Sequence, residues 1–219
     1  MIIVRPSPNH DARPEGLKPD MLVLHYTGMK TGEEAMARLC NPDAKVSSHY
    51  TIDREGRINA HVPEERRAWH AGVSYWAGET NINARSIGIE LVNPGHEFGY
   101  VPFPDAQIAA LIAVSKEIVA WHGIAPSRVL AHSDVAPARK DDPGELFPWA
   151  KLAEYGLGLW PKACATQASV GQLSAFGYDP DAPRDKVIAA FQRRFRSEKI
   201  NGAWDAQCGA LLASLLAQL

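Results

Sequence analysis

The sequence predicts an α/β protein, a mixed central β-sheet flanked by helices, followed by a small three-helix bundle. Three observations carry that prediction. Short apolar runs alternate with helical patterns over the first 160 residues, the composition shifts after Trp160 to helical patterns alone, and 46% hydrophobic content over 219 residues is enough for a real core. Two units are therefore expected, residues 1–160 and residues 161–219.

In chain order, Met21-Leu-Val-Leu24 reads as a buried strand that delivers His25 to its end, where Thr27-Gly28 follows. A helix is expected near Glu33 to Cys40. Strands at Ser48 to Ile52 and Arg57 to His61 flank Asp53-Arg-Glu-Gly56, a turn signal that makes them a hairpin. Ser86 to Val92 is a further strand. Asp105 to His122 is the clearest helix: Ile108, Leu111, Ile112, Ile118 and Val119 recur on one face, Asp105 stands where a cap belongs, and Gly123 follows. Only the small Ser115 interrupts its stripe. A short extended element, Val129-Leu130-Ala131, then leads into His132. After Trp160, helices are expected over Val170 to Phe176, over Arg184 to Phe195 with Val187, Ile188, Phe191 and Phe195 on one face, and over Asp205 to Leu219 with a leucine stripe.

A net charge of -2, with both signs spread along the chain, gives no footprint for nucleic acid, and no basic helix suggests a membrane surface. No apolar run approaches the roughly 20 residues needed to span a bilayer, and the start Met1-Ile-Ile-Val-Arg5-Pro6 lacks the features of an export signal. Cys40, Cys164 and Cys208 are odd in number and far apart, which argues against a disulfide framework and a four-cysteine zinc site. They read as buried or idle thiols. These features point to the cytoplasm, and the chain carries no signature of its oligomeric state.

The chemistry concentrates in the segment from His132 to Gly144. Pro137, Pro143 and Gly144 break regular structure, so His132, Lys140 and Asp142 are expected on a constrained loop where they can converge. His25, at a strand end, stands where sites are commonly built. Two neutral imidazoles and a carboxylate make a three-ligand set for catalytic Zn2+ with a fourth position open, and such an ion lowers the pKa of water and polarises a carbonyl, which suits hydrolysis of amides or esters. His25, His132 and Asp142 can supply that set. By spacing alone Asp134 or Asp141 serves as well, and Asp142 before Pro143 also reads as a turn initiator.

Hydrolysis needs a base and an oxyanion donor besides. Glu90, between Ile89 and Leu91, is either the outward residue of a half-buried strand or a site carboxyl with a raised pKa, and it is the candidate base. Lys140 is the candidate oxyanion donor, against the plain reading of a solvated side chain. His49, His61, His70 and His96 can also bind metal, but none has a partner in an HExxH pattern. Ala68-Trp69-His70-Ala71-Gly72 combines an aromatic, an imidazole and small residues, and reads as the wall of a polar-ligand site or as a packed core loop.

Five stretches in order, Leu24-His25-Tyr-Thr-Gly28, Val46-Ser-Ser-His-Tyr50, Ala68-Trp-His-Ala-Gly72, Ser86-Ile-Gly-Ile-Glu90 and His132-Ser-Asp-Val-Ala-Pro-Ala-Arg-Lys-Asp-Asp-Pro-Gly144, together resemble one family. It is the zinc-dependent N-acetylmuramoyl-L-alanine amidases, which share a fold with the peptidoglycan-recognition proteins. The resemblance implies Zn2+ as cofactor, His25, His132 and Asp142 as its ligands, Glu90 as the catalytic glutamate, Lys140 on the oxyanion, and Tyr26, Trp69, His70 and Asn83 along the substrate groove. It implies peptidoglycan or muropeptide fragments as the partner, cut between N-acetylmuramic acid, ordinary or 1,6-anhydro, and L-alanine. The alternative is a recognition protein that keeps the groove without activity; such proteins lack a full ligand set, whereas this chain has one.

Residues 161–219 resemble the three-helix peptidoglycan-binding module found behind such amidases, through Phe191-Gln192-Arg-Arg-Phe195 and Ile200-Asn-Gly202-Ala-Trp204-Asp205. Arg193, Arg194 and Asn201 depart from the module's pattern, which leaves open whether it binds wall or packs on the first unit. A wall-binding tail would place the protein in the periplasm or envelope instead of the cytoplasm.

Overall fold

The computed structural model describes residues 2–162 and 164–219. The chain runs through β1 (Ile2–Val4), β2 (His10–Ala12), β3 (Met21–Tyr26), α1 (Gly32–Cys40), β4 (Tyr50–Ile52), β5 (Ile58–Ala60) and β6 (Arg66–Ala68). It continues with α2 (Ile82–Arg85), β7 (Ser86–Leu91), α3 (Gly95–Phe98), α4 (Asp105–His122), β8 (Val129–Ala131), α5 (His132–Val135) and α6 (Trp149–Ala153), and ends with α7 (Leu173–Phe176), α8 (Arg184–Phe195) and α9 (Ala206–Leu216). This is the mixed α/β architecture with a helical C-terminal portion that the sequence predicts.

Six strands form one sheet in the order β1-β5-β4-β7-β3-β8, while β2 and β6 pair antiparallel apart from it. Strands β4, β7, β3 and β8 are mutually parallel, and β5 turns antiparallel to β4 through the expected hairpin. Near-continuous apolar runs belong on central parallel strands covered on both faces. Strand β3 is the clearest instance, with Met21 through His25 all buried. Its alternation splits the core in two: Leu22 and Leu24 pack with Ile87, Ile89 and α4 residues on one face, while Met21 and Val23 pack with Leu130, Val135, Phe191 and Leu212 on the other.

The C-terminal helices therefore share a core with the sheet. Helix α8 buries Val187, Ile188, Phe191 and Phe195, the stripe the sequence shows, and Asp205 caps α9 by accepting from the Cys208 N–H at 3.1 Å. Burying a large apolar side chain contributes about 1.5–3 kcal/mol, so exposing Met21, Val23, Leu130 and Val135 together would remove a stabilisation comparable to the small net margin that keeps a domain folded. The helices over that face are thus a structural necessity for the strands beneath them.

Three details differ from the sequence reading. Asp105 does not cap α4: Pro104 holds the cap position without a side-chain bond, and the Asp105 carboxylate pairs with Lys151 at 3.2 Å instead. The end of α4 is as expected, because Gly123 adopts φ 68° and releases the chain from the helix. The segment after β8 is not wholly irregular, since His132–Val135 forms one helical turn before Pro137 stops it. Strands β2 and β6 are short and largely polar and gave no apolar signal, whereas β1, an exposed Ile-Ile-Val run, is a strand the sequence reading did not name. Charge pairs join β2 to β6, with Arg67 on Asp11 at 2.5 Å.

Candidate active site

Parallel strands place their carboxyl ends along one edge, and open α/β sheets use that edge for ligands. Here His25 is the penultimate residue of β3, Glu90 is the penultimate residue of β7 directly opposite it in register, and His132 follows the last residue of β8. Side chains on this face alternate with the apolar ones, so Met21, Val23 and His25 point one way and Ser86, Gly88 and Glu90 point with them. A cleft of about 510 Å³ opens at this edge, lined by Glu90, His132, Lys140, Asp142, Tyr26 and His70 among others.

Three donor atoms converge there. His25 Nδ1 lies 2.9 Å from His132 Nδ1 and 3.1 Å from Asp142 Oδ2, and His132 Nδ1 lies 3.0 Å from the same carboxylate oxygen. All three residues are buried. The far nitrogens settle which tautomers are present. His132 Nε2 donates to the Ala71 carbonyl at 3.1 Å, so its Nδ1 carries a lone pair. His25 Nε2 faces His70 Nδ1 at 3.0 Å, His70 Nε2 donates to Ser86 Oγ at 3.2 Å, and Ser86 donates to the Ile82 carbonyl at 2.7 Å. Read from that carbonyl backwards, every proton is committed away from the centre, leaving His25 Nδ1 unprotonated as well.

Burial pushes the His25 imidazole down to about 4. Burial would raise Asp142, but the two imidazoles against it more than offset this and hold the carboxyl well below its usual range. Two imidazole Nδ1 atoms and one carboxylate oxygen thus aim at one point, with the far nitrogens engaged elsewhere. Such an arrangement is repulsive unless a cation fills it, and the donor chemistry fits a divalent metal of the zinc type.

Glu90 stands beside this centre. Its Oε2 is buried without a hydrogen-bond partner, and burial followed by the Asp142 charge raises its carboxyl well above the ordinary range, while Lys140 acts to lower it. Lys140 lines the same cleft. Tyr26 donates its hydroxyl to His96 Nδ1 at 2.9 Å, and His96 in turn contacts Glu145 at 3.0 Å, so one rim of the cleft is tied by hydrogen bonds. Burial, then Asp142, raises the Tyr26 phenol to about 12, which keeps the O–H in place at neutral pH.

Other sequence candidates lie elsewhere. Asn83 accepts from the backbone N–H groups of His70 and Ala71 at 3.0 and 2.8 Å and shapes that loop from behind; neither it nor Trp69 is among the residues lining the cleft. His70 reaches the cleft but also buttresses His25, an arrangement that Gly88 permits: a Cβ there would stand 2.5 Å from the His70 ring. His49 accepts from the Gly88 N–H at 2.9 Å, and His61 bonds Thr51 at 2.9 Å, so both serve the scaffold. Asp134 and Asp141 point away from the donor cluster, each toward an arginine. Arg139, which sequence reasoning passed over, lines the cleft and donates to the carbonyls of Ala71 and Val73 at 2.5 and 2.7 Å. Its only signal was its place beside Lys140.

The sequence pattern of the N-acetylmuramoyl-L-alanine amidase family matches residues 15–145, a span that contains every one of these side chains. The chain belongs to that family. Along 90% of its length it is 42% identical to the N-acetylmuramoyl-L-alanine amidase AmiD of Escherichia coli strain K12, covering 82% of that protein. Along 67% it is 36% identical to the 1,6-anhydro-N-acetylmuramyl-L-alanine amidase AmpD of Enterobacter cloacae, covering 86% of it. In three dimensions it resembles the E. coli AmiD complex with anhydro-N-acetylmuramic acid-L-Ala-D-gamma-Glu-L-Lys, with TM-score 0.82, 39% identity and coverage of 94% and 92% of the two chains. AmpDh3 of Pseudomonas aeruginosa, solved with anhydromuramic pentapeptide, gives TM-score 0.82 at 33% identity and 94% coverage of each. Like these amidases, this one is an enzyme of peptidoglycan hydrolysis, and none of its described helices is long and apolar enough to cross a membrane.

Proposed function

We propose that this amidase binds Zn2+ through His25 Nδ1, His132 Nδ1 and Asp142 Oδ2, and hydrolyses the amide between N-acetylmuramic acid and L-alanine in muropeptides, the 1,6-anhydro form included. The observation that carries the proposal is the convergence of three buried donor atoms beside a buried, unpartnered Glu90 oxygen. Zn2+ at that point would supply Lewis acidity toward the lactyl carbonyl and toward a water.

The protein's own groups supply the rest. Glu90, with its raised affinity for a proton, is suited to take one from the attacking water and to return it to the departing alanine nitrogen. A C–O bond forms, the C–N bond breaks, and the products are a carboxylic acid and a free stem-peptide amine. Lys140, lining the same cleft, would bring a positive charge to the oxygen that becomes negative as water adds. His70 and the Ala71 carbonyl orient the two imidazoles from behind. Tyr26 and Arg139 flank the opening and favour a ligand with polar and carboxylate groups, as a stem peptide has. Anhydro-muropeptides enter as substrate because they are bound in the related AmiD and AmpDh3 structures.

The test is purified enzyme with added Zn2+, assayed on soluble anhydro-muropeptides and on intact sacculi. Release of free stem peptide from the soluble substrate is the expected result. Zinc binding without any amide cleavage would overturn the proposal in favour of a recognition protein, and cleavage of soluble fragments alone would exclude a role in remodelling the wall.

A further inference from the structure

The two arginines that set the C-terminal helices apart from the usual wall-binding pattern lie at the active site's back and rim. Arg194 is a buried side chain on α8, with 2% of its surface exposed, and it pairs with Asp134, which is wholly buried. The same guanidinium donates from Nη2 to the Val129 carbonyl at 2.9 Å and stacks 4.0 Å over the Trp149 ring. Asp134 also accepts from the Tyr178 hydroxyl at 2.6 Å and from the Ala131 N–H at 2.9 Å. That carboxylate therefore ties the C-terminal helices to the residues on either side of His132. One residue earlier on α8, Arg193 pairs with Asp141 at 2.7 Å and lies 3.9 Å from Glu145. Asp141 adjoins Asp142, and Glu145 holds His96, which receives the Tyr26 hydroxyl.

We infer that Arg193 and Arg194 of the C-terminal portion are positioning residues of the active site, clamping the segment from His132 to Asp142 at both ends. The inference rests on the metal site proposed above. Its physical reason is that most of the segment's own backbone bonds are local turns around Ala136, and only Ser133 N–H to the Asp142 carbonyl, at 2.9 Å, joins the backbone of its two ends. An eleven-residue excursion with its ends closed still has freedom to shift, and a metal site tolerates shifts of only a few tenths of an ångström in its donors. The two ion pairs come from one rigid helix, so they set both ends of the segment against a common frame. This also accounts for Asp134 and Asp141, which resemble Asp142 by spacing: each is occupied by an arginine.

The test uses the full chain with Arg193→Gln, the charge-exchanged pair Arg193→Asp with Asp141→Arg, and Arg194→Met. Zinc affinity is measured by competition with a chromophoric chelator, alongside thermal midpoint, kcat and KM. Arg193→Gln is expected to leave the thermal midpoint close to wild type and to weaken zinc about tenfold, the low end of what outer contacts of a metal site contribute. The exchanged pair should recover most of that affinity. Arg194→Met is expected to lower both the midpoint and zinc affinity. Wild-type zinc affinity and kcat in Arg193→Gln would overturn the clamp at Asp141. So would a rise in KM alone that the exchanged pair fails to reverse, since Arg193 would then be touching substrate. Should the wild type fail to cleave any muropeptide, the activity reading falls, whereas the chelator competition still decides the clamp.

Discussion

The two sides of the proposed metal site are held in different ways. His25 and Glu90 sit in the middle of a sheet, on β3 and β7, where ladder hydrogen bonds set the backbone and the register places them opposite each other. His132, Lys140 and Asp142 belong to one excursion after β8, and its shape depends on contacts that come from elsewhere: Arg139 to the Ala71 loop, Tyr100 to the Pro143 carbonyl at 2.7 Å, and the α8 arginines. A strand-held group can be changed chemically while the frame stays. A loop-held group moves when any of its supports is removed, so the same substitution chemistry tests different things on the two sides.

Removing the metal breaks both sides at once and should have the largest effect. A chelator is expected to reduce amide hydrolysis to background, with recovery on adding Zn2+, and the thermal midpoint should fall, since a ligand at a hundred times its Kd stabilises by about 2.7 kcal/mol. An enzyme that keeps full turnover after exhaustive chelation would contradict the assignment.

On the strand side, Glu90→Gln should lower kcat by about 10²- to 10⁴-fold, the range for a lost general base, with zinc content unchanged by elemental analysis. It also carries a stability signature in the metal-free protein. Burial raises the folded Glu90 pKa, so the native state holds that proton more tightly than the unfolded chain. The stabilisation is complete below the unfolded value of about 4.3 and is lost as pH rises toward the folded value. Gln cannot ionise, so denaturant melts should show Glu90→Gln gaining on wild type from pH 4 to pH 7. Equal stabilities across that window would count against a raised pKa.

On the loop side, Lys140→Met should cost about 10²- to 10³-fold in kcat, as removal of an oxyanion donor does, and should spare KM. The smallest effect belongs to the support behind His25. His70→Phe keeps a ring over Gly88 but loses the acceptor, and zinc affinity should drop by less than the about tenfold expected for Arg193→Gln in chelator competition. A larger loss than for Arg193→Gln would reverse the comparison, with the strand side proving the more dependent on its side-chain support.

Much of the frame was legible because its cause is local. The apolar run of β3, the periodic stripes of α4 and α8, and the Asp53–Gly56 turn follow from side-chain period and turn chemistry, and each element formed within a residue or two of its expected bounds. Strands β2 and β6 were hidden because short, largely polar segments such as His10–Ala12 and Arg66–Ala68 acquire strand geometry only from each other, far apart along the chain. Asp105 illustrates the same limit: a residue suited to capping was drawn to Lys151 instead.

Of the site, residue types and order were readable, and the ordered motifs pointed to His25, Glu90, His132, Lys140 and Asp142. Spacing could not separate Asp134, Asp141 and Asp142, nor show that His70 stands behind His25 while Asn83 shapes the loop. Those distinctions depend on which face of β3 and β7 each group meets, and on helix α8, which arrives some 60 residues later to bury Asp134 and hold Asp141. The sequence by itself determined which chemistry the protein carries, because period and motif are written in neighbouring residues. Only the tertiary structure decided what becomes of Asp134 and Asp141, the two carboxylates that resemble Asp142 by spacing, because a charge goes where distant partners, here Arg194 and Arg193, offset the cost of burying it.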